Sequence, residues 1–352
     1  MRILIVTDAW PPQVNGVVRT LQTTGAKLRE RGHEVHYITP EGRRNWPLPS
    51  YPEIELSFPG ARKIGAEIEA LKPDAIHIAT EGPLGWAARR ACLRRNLPFT
   101  TSFHTRFAEY AAARLGVPGV EASVWALMRR FHKPAHAVMT PSLTVSRQLE
   151  SRKFTNVKTW TRGVDHSMFK LWDRDYFDLP RPVMVLSGRV IIDKNIEAFL
   201  KLDVPGTKVI VGDGPDRKML EEKYPKAVFT GYLRETTYAR ALASADVFVF
   251  PSHTDTFGLV MIEAMACGTA VAAFNVSSPI DVVEHGVTGA LDADLGRAIT
   301  HALTLDRNKV HEAAQKFTWE RTAEMFESWL VPFKWPTHLT DAQKKSAPVH
   351  TP

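Results

Sequence analysis

The chain of 352 residues is long enough for about two domains, and its 44% hydrophobic and 24% charged residues are typical of a folded globular protein. This composition excludes a disordered chain, a collagen and a coiled coil. The two cysteines, Cys92 and Cys267, make neither a disulfide framework nor a zinc site, and so small a number fits a reducing cytoplasm. No apolar stretch approaches the ~20 residues of a membrane span, and the N-terminal apolar run is too short for a signal peptide, so we expect neither feature.

The charge is distributed unevenly along the chain. The formal net charge is +7, but residues 1–170 carry 25 basic and 14 acidic residues, a surplus of +11. Residues 171–352 carry 20 basic and 24 acidic residues, a net charge of −4. This asymmetry indicates that the first half meets an anionic partner such as a nucleic acid, a membrane surface or a phosphorylated substrate, unless the surplus only solubilises the surface.

In the first half, short apolar runs alternate with longer amphipathic ones. The apolar runs predict strands at Arg2–Asp8, Glu34–Thr39, Asp74–Thr80, Pro98–His104, Ala135–Thr140 and Val157–Trp160. Helical periodicity predicts helices at Gly16–Arg31, Arg62–Leu71, Leu84–Asn96, Thr105–Leu115, Val120–Lys133 and Leu143–Arg152. Strands rich in Ile, Val and Thr without polar alternation are typical of a parallel sheet that is buried on both faces.

The same alternation begins again near residue 182. Strands are predicted at Pro182–Gly188, Lys208–Gly212, Ala227–Thr230, Asp246–Pro251 and Thr269–Phe274. Helices are predicted at Asn195–Leu202, Arg217–Tyr224, Glu235–Ser244, Gly258–Cys267, Ile280–His285, Asp294–Leu305, Asn308–Lys316 and Thr318–Leu330. Alternating strands and helices predict two doubly wound α/β domains.

The polar stretch Phe169–Arg181 has little apolar periodicity and is the predicted linker. We therefore expect an N-terminal domain over 1–168, a C-terminal domain over 169–330, and a tail over 331–352 that packs back on the first domain or frays. The predicted fold class is α/β, with two Rossmann-like doubly wound domains facing a central cleft. Ligands of such sheets bind at the carboxyl ends of the strands.

Two strand-to-helix loops carry residues suited to phosphate. Asn15 and Gly16 open the first helix, where free N–H groups favour an anion, although an ordinary turn could have the same sequence. The loop has no G-x-G-x-x-G motif, which argues against a dehydrogenase. A later strand ends at Gly188 and delivers Arg189 and Lys194 to the sheet edge. Two cations in one loop suit a diphosphate, and a solvated basic loop is the alternative.

The most informative loop follows the apolar strand that ends at Pro251. Gly258 opens the next helix, Asp255 stands just before it, and Glu263 lies on its second turn. Seven residues separate the two carboxylates, so both can face a ligand that lies over the helix start. The neighbours of Glu263 are apolar, which favours a hydrogen-bonded carboxylate in a ligand site over a helix-surface residue.

These elements resemble those of the retaining nucleotide-sugar glycosyltransferases of the GT-B class, specifically the family-four group. The resemblance covers nearly the whole chain and is strongest from Pro182 to Leu291. It rests on the order and spacing of the Asn15-Gly16 loop, Ser102-Phe103-His104, Thr140-Pro141-Ser142, Arg162-Gly163-Val164-Asp165, Gly188-Arg189 with Lys194, Val211-Gly212-Asp213-Gly214-Pro215, Thr230-Gly231-Tyr232 and the carboxylate pair.

The resemblance implies a role for each matching residue. Arg189 and Lys194 would bind the donor diphosphate, Glu263 the ribose and Asp255 the sugar hydroxyls, while His104 would lie beside the transferred sugar. The implied catalytic residues are His104, Arg189, Lys194, Asp255 and Glu263, and the implied substrate-binding residues are Asn15, Gly16, Gly188, Gly212, Gly231, Tyr232, Phe257, Gly258 and Leu259. The family usually has Glu where this chain has Asp255, which affects the expected choice of sugar.

The family needs no Asp-x-Asp metal motif, and none stands in a suitable loop here. We therefore expect no metal and no cofactor besides the nucleotide-sugar substrate. The cations and the helix start would stabilise the charge on the leaving diphosphate as the two domains close over the donor.

The resemblance implies that the basic N-terminal domain, 1–168, holds the acceptor side and that the C-terminal domain, 169–330, binds the nucleotide sugar. Two predicted helices combine arginines with large apolar residues, which suits an anionic lipid surface unless their apolar sides simply pack on the sheet. The predicted membrane-facing residues are Arg89, Arg90, Arg94, Arg95, Arg129 and Arg130. The resemblance to members with a similar Thr-Asp-Thr-Phe-Gly loop indicates glycolipid synthesis on the inner, cytoplasmic face of the cell membrane.

The expected activity is transfer of a hexose from a nucleotide-diphosphate sugar, with a UDP-sugar favoured, to a lipid such as diacylglycerol. Alternatives are a GDP-mannose-dependent mannosyltransferase acting on a lipid or oligosaccharide, and a sugar-nucleotide epimerase or sensor on the same fold. No nucleic-acid-binding module is recognised, and the acidic second half opposes that class of partner.

Overall fold

A computed structural model describes residues 1–13, 15–48, 51–104 and 119–335 of the chain. The predicted helix Thr105–Leu115 and most of the predicted tail, 336–352, lie outside the described residues. The chain divides into two compact units, the first made of 1–141, 146–160 and the chain from 323 onward, and the second of 142–145 and 161–322.

This division differs from the predicted one in three places. Residues 142–145 group with the second unit instead of the first. The first unit ends its main segment at Trp160 instead of residue 168, and the chain from Ala323 groups with the first unit instead of the second. The physical reason is the last helix, whose second half buries its apolar side chains in the first unit's core. Phe326 is fully buried and packs edge-on against His77, with ring centroids 4.8 Å apart. It also packs against Trp160 in a tilted arrangement, with ring centroids 4.9 Å apart.

The first unit contains a six-stranded parallel sheet in the order β2-β1-β5-β6-β7-β8 and a two-stranded hairpin, β3-β4. Its strands are β1 Arg2–Val6, β2 Glu34–Ile38, β3 Asn45–Leu48, β4 Tyr51–Ser57, β5 Ala75–Ile78, β6 Thr100–Ser102, β7 Val138–Thr140 and β8 Val157–Thr159. Its helices are α1 Gly16–Glu30, α2 Ala61–Leu71, α3 Pro83–Arg95, α4 Val120–His132 and α5 Leu143–Ser151, the last of which begins at residues that cluster with the second unit. All residues of β5, and all residues of β1 except Arg2, are buried because helices cover both faces of the sheet.

The second unit contains a second six-stranded parallel sheet in the order β11-β10-β9-β12-β13-β14. Its strands are β9 Val183–Ser187, β10 Thr207–Val211, β11 Val228–Gly231, β12 Val247–Phe250, β13 Val271–Phe274 and β14 Gly289–Asp292. The helices are α6 Ile196–Leu200, α7 Arg217–Lys223, α8 Glu235–Ser244, α9 Leu259–Ala266, α10 Pro279–Val282, α11 Leu295–Ala302, α12 Arg307–Ala314 and α13 Trp319–Trp329, the last of which continues into the first unit. The prediction of two Rossmann-like parallel-sheet domains is confirmed.

Candidate active site

Three neighbouring strands of the second sheet run into glycines at the same edge. Gly188 follows β9, Gly212 follows β10, and Gly231 ends β11, and all three have positive φ angles, of 148°, 141° and 72°. A Cβ atom at Gly212 would lie 1.9 Å from the carbonyl oxygen of Gly188. The edge therefore admits no side chain at Gly212, and the bare backbone leaves room for a ligand to approach.

The basic loop after β9 meets the acidic loop after β12. Lys194 ends a short 3-10 turn, Ile192–Lys194, and its Nζ atom lies 2.5 Å from Oδ1 of Asp255. The two side chains are 28% and 18% exposed, so the ion pair is only partly screened by water. The Asn195 side-chain amide donates to the carbonyl oxygen of Pro251 at 3.1 Å and fixes the loop against the end of β12. Lys194 and Asp255, which were predicted as separate contacts to the donor, thus form one ion pair. Arg189, in the same loop as Lys194, is half-buried.

Helix α9 begins directly beside this pair. Its N-cap residue, Gly258, has a φ of 77°, and a Cβ atom there would lie 2.8 Å from Met261 Cε and 2.9 Å from Phe250 Cζ. Glycine is therefore required for the close packing of the helix start. Leu259 is half-buried at the first helical position, while the Phe257 side chain is a core residue that packs edge-on against Phe317. The Phe257 ring thus belongs to the hydrophobic core, and its predicted substrate contact stays a prediction.

Glu263 is held by a chain of hydroxyl groups that sequence reasoning missed. Its side chain is buried, and the Tyr238 hydroxyl donates to its Oε2 atom at 3.1 Å. The Tyr238 hydroxyl in turn accepts from Ser187 Oγ, at the end of β9, at 3.0 Å. Ser187 could have been found from the sequence, because it directly precedes Gly188, a predicted substrate-binding residue. Nothing in the local sequence of α8 indicates a role for Tyr238.

An exposed aromatic ring follows β11. Tyr232 is 53% exposed, and the guanidinium carbon of Arg234 lies 5.4 Å from its ring centroid. The neighbouring Gly231 packs against Arg217, which pairs with Asp213 at 3.1 Å. An open ring face beside a glycine can stack on a flat heterocycle.

In the first unit, Asn15 and His104 lie where they were predicted, after β1 and β6, but both have structural contacts. Asn15 Oδ1 accepts from the backbone N–H groups of Val17 and Val18, at 3.0 Å each, so this side chain is the N-cap of α1. Gly16 is exposed beside it. His104 is buried, with its ring 5.9 Å from that of Trp160.

A further buried carboxylate at this edge, Asp8, was not predicted as a site residue. It accepts from the N–H groups of Leu84 at 2.8 Å and Gly85 at 3.2 Å, and from the Thr80 hydroxyl at 2.8 Å. Burial raises the pKa of Asp8 to about 6, although these hydrogen bonds and the start of α3 oppose the shift. Asp8 thus caps α3 across the sheet edge.

The six arginines predicted to face a membrane divide into two groups. Arg89 donates to the carbonyl oxygens of Phe131 at 2.9 Å and Arg130 at 2.7 Å, and Arg95 donates to Glu69 at 2.5 Å. Helix α3 packs against the C-terminal end of α4 and against α2, which supply acceptors for these two guanidinium groups, and the membrane-facing role of Arg89 and Arg95 stays a prediction. Among the other four, Arg129 is half-buried, and three are exposed: Arg90, Arg94 and Arg130.

Within the described ranges, no group of three or more His, Cys, Asp or Glu side chains is placed to hold a metal ion. The helices that the structure describes include none long and apolar enough to cross a bilayer.

Comparisons with known proteins agree on the type of enzyme. Residues 14–168 match the family Glycosyltransferase Family 4, and residues 182–305 match the family Glycosyl transferases group 1. The chain is 32% identical to a GDP-mannose-dependent alpha-mannosyltransferase of Mycolicibacterium smegmatis, over 92% of this chain and 94% of that one.

Two further relatives differ in their named products. The chain is 29% identical to the sulfoquinovosyl transferase of Arabidopsis thaliana, over 90% of this chain and 71% of that one. It is 26% identical to the alpha-monoglucosyldiacylglycerol synthase of Streptococcus pneumoniae, over 93% and 83%. The crystal structure of Anabaena HepE in complex with UDP and glucose has the same fold, with a TM-score of 0.69 at 18% identity over 93% of this chain and 98% of that one. The chain therefore belongs to the family 4 and group 1 glycosyltransferases, enzymes of the GT-B fold.

Proposed function

We propose that this glycosyltransferase moves a hexose from a nucleotide-diphosphate sugar to a membrane lipid and so makes a glycolipid. The observation that supports the donor half most directly is the Lys194–Asp255 pair at the glycine-lined edge of the second sheet. It brings a cation for the diphosphate and a carboxylate for the sugar hydroxyls to one place. The acceptor half is supported by the names of relatives, which include a glucosyldiacylglycerol synthase and a phosphatidylinositol dimannoside mannosyltransferase.

In the proposed reaction, the bond between the anomeric carbon and the diphosphate oxygen breaks, and the hydroxyl oxygen of the acceptor forms a bond to the same carbon. Negative charge develops on the leaving diphosphate, which takes up the proton that the acceptor hydroxyl loses. Lys194, Arg189 and the N–H groups at the start of α9 stabilise that charge, which is why we propose transfer without a metal ion. Glu263, oriented by Tyr238, accepts from the ribose hydroxyls. We further propose that the anomeric configuration is retained, which NMR of the product's anomeric proton tests.

Two donors compete within this proposal. The sequence favoured a UDP-sugar, whereas the mannosyltransferases at 32% and 29% identity are named as GDP-mannose-dependent. The exposed Tyr232 ring offers either base a stacking surface, so it does not discriminate between them. Calorimetric titration of the protein with GDP and with UDP decides: the true donor's nucleotide binds at least tenfold more tightly, about 1.4 kcal/mol.

Membrane attachment is the second part of the proposal. Exposed Arg90 and Arg94 on α3 flank Leu93, which is 42% exposed, and exposed Arg130 on α4 lies near Leu127, which is 46% exposed. Each cation near an anionic lipid surface contributes about 1 kcal/mol, and the leucines add apolar contact. This combination supports reversible binding of the first unit to anionic lipid.

The proposal is tested with purified protein, radiolabelled UDP-glucose or GDP-mannose, and vesicles made from a bacterial lipid extract. We expect label to pass into the organic phase with one of the donors. Release of free sugar without labelled lipid, from both donors, would contradict a lipid acceptor.

A further inference from the structure

The loop after β13 contains a residue with a strained backbone. Ser278, which directly precedes α10, has a φ of 83° and a ψ of −68° and is fully buried. These angles are those of the γ-turn with positive φ, a rare and strained conformation. The N–H group of the next residue but one from the turn's start normally closes such a turn, but here that residue is Pro279, which has no N–H group. Contacts outside the turn must therefore hold Ser278 in this conformation.

One of these contacts joins Ser278 to the loop that leads into α9. The Ser278 hydroxyl donates to the carbonyl oxygen of Phe257 at 2.7 Å, and both residues are buried. A glycine would adopt the same backbone angles without strain, but it could not make this bond. The serine hydroxyl therefore gives the loop before α9 a contact that the turn alone does not supply.

This bond fixes the direction of the peptide group at the start of α9. The peptide bond between Phe257 and Gly258 is trans, so its N–H group points opposite to its carbonyl group. Because the carbonyl oxygen points into the interior at Ser278, the N–H group of Gly258 points to the other side of the loop. Gly258 is half-buried, and among the described residues none accepts a hydrogen bond from its N–H group. A ligand can therefore use this donor.

The direction of this N–H group matters for the proposed reaction. Gly258 follows Asp255 by three residues, and the N–H groups at the start of a helix carry partial positive charge. A donor that already points at the leaving diphosphate stabilises the developing charge without a reorganisation cost. Misplacement of such a group by about 1 Å can slow a reaction by about 10²-fold.

We infer that Ser278 is a positioning residue for glycosyl transfer, which acts through the Phe257 carbonyl group to hold the Gly258 N–H group toward the leaving diphosphate. This inference rests on the donor half of the proposed function and adds to it a residue from a different loop. Because Ser278 is fully buried, it acts through Phe257 and Gly258 and does not touch the donor.

Two substitutions at Ser278 separate positioning from folding. Ser278→Ala removes the hydroxyl group and keeps the strain, whereas Ser278→Gly removes both. We expect kcat/KM for donor turnover, measured as nucleotide release from UDP-glucose or GDP-mannose, to fall about tenfold or more in both variants. Calorimetric affinity for UDP or GDP should fall about tenfold, as for a weakened charge-assisted hydrogen bond. The melting temperature should fall by several degrees in Ser278→Ala only, because glycine relieves the strain.

Thr269→Val is the matched control. The Thr269 hydroxyl also donates to a buried carbonyl oxygen, that of Leu242, at 2.7 Å. Thr269 precedes β13, however, and so lies at the opposite edge of the parallel sheet from Ser278. This variant should lose stability and keep the wild-type kcat/KM.

The outcomes distinguish this inference from the proposed function. A wild-type kcat/KM in Ser278→Gly, or an equal loss of kcat/KM in Thr269→Val, would overturn the inference and leave the proposed function intact. Nucleotide release by the wild type without any labelled lipid would contradict the lipid acceptor. In that case a loss of nucleotide release in both Ser278 variants, with normal release by Thr269→Val, would still support the inference.

Discussion

The Lys194–Asp255 pair allows a double-mutant cycle that tests the donor site. The variants are Lys194→Ala, Asp255→Asn and the double variant. In Lys194→Ala, the donor diphosphate loses a cation and also meets an Asp255 carboxylate whose charge is no longer neutralised. In the double variant that repulsion is absent, because the asparagine side chain carries no charge. The two substitutions should therefore be strongly non-additive.

The expected magnitude follows from the geometry. The two charged atoms are 2.5 Å apart, and the side chains are 28% and 18% exposed. Two unit charges about 4 Å apart at an effective dielectric constant near 20 interact by about 4 kcal/mol, which solvent and competing contacts reduce to a coupling of about 1–3 kcal/mol. Loss of the Lys194 cation alone should slow transfer by about 10²–10³-fold. The double variant should be about 5–150 times faster than the product of the two single losses predicts.

The assay is the second-order rate constant kcat/KM for donor turnover, together with calorimetric affinity for the unreactive nucleotide diphosphate. Lys201→Ala is the matched control, because Lys201 forms an exposed pair with Glu197 at 3.2 Å in the same unit. This control should keep wild-type kinetics. If the loss of kcat/KM in the double variant equals the product of the two single-variant losses to within a factor of two, the two side chains are not coupled. That result would refute a coupled pair in the donor site.

Three other predictions use the same structure. Asp255→Glu restores the family's usual residue. It should change the ratio of kcat/KM values between donor sugars, while the affinity for nucleotide diphosphate stays within threefold of the wild type. A large loss of nucleotide affinity would instead indicate that Asp255 belongs to the diphosphate site. Replacing Arg90, Arg94 and Arg130 with Gln should reduce co-sedimentation with anionic vesicles at low salt and leave binding to zwitterionic vesicles unchanged, so equal wild-type binding to both vesicle types would contradict membrane steering. The pKa of Asp8 is raised from 3.8 to about 6, so the folded state holds the carboxyl proton more tightly than the unfolded state does. The protonated Asp8 therefore stabilises the fold at low pH. This contribution to the free energy of unfolding, about 3 kcal/mol, is lost as the pH rises from about 4 to 6. Asp8→Asn cannot titrate, so its melting temperature should rise by several degrees relative to the wild type between pH 4 and pH 7, and parallel pH profiles would disprove the assignment.

The two-sheet architecture could be predicted from the sequence because buried parallel strands give continuous apolar runs. Three strands were not predicted: both strands of the hairpin, β3 and β4, and the last strand of the second sheet, β14. The hairpin strand Asn45–Leu48 contains Pro47, which normally argues against a strand, and β14, Gly289–Asp292, is four residues long and begins at a glycine. Neither carries a strong local strand signal.

Local sequence patterns predicted the site residues but not their contacts with one another. Lys194 and Asp255 could be found because each follows a predicted strand, but their pairing depends on β9 and β12 being neighbours in the sheet, which no local pattern encodes. Tyr238 reaches Glu263 from another helix, so only the fold reveals it. Arg89 and Arg95 could not be separated from Arg90 and Arg94 by periodicity, because their acceptors lie on other helices.

We propose that the chain makes a glycolipid through a donor site that contains Lys194. The direct measurement is mass spectrometry of lipid extracts from cells that express either the wild-type chain or the Lys194→Ala variant at equal levels. We expect a new lipid, heavier than its precursor by one hexose residue, in cells with the wild type and its near-absence in cells with the variant. No new glycolipid with the wild type, or the same glycolipid in equal amount with the variant, would contradict it.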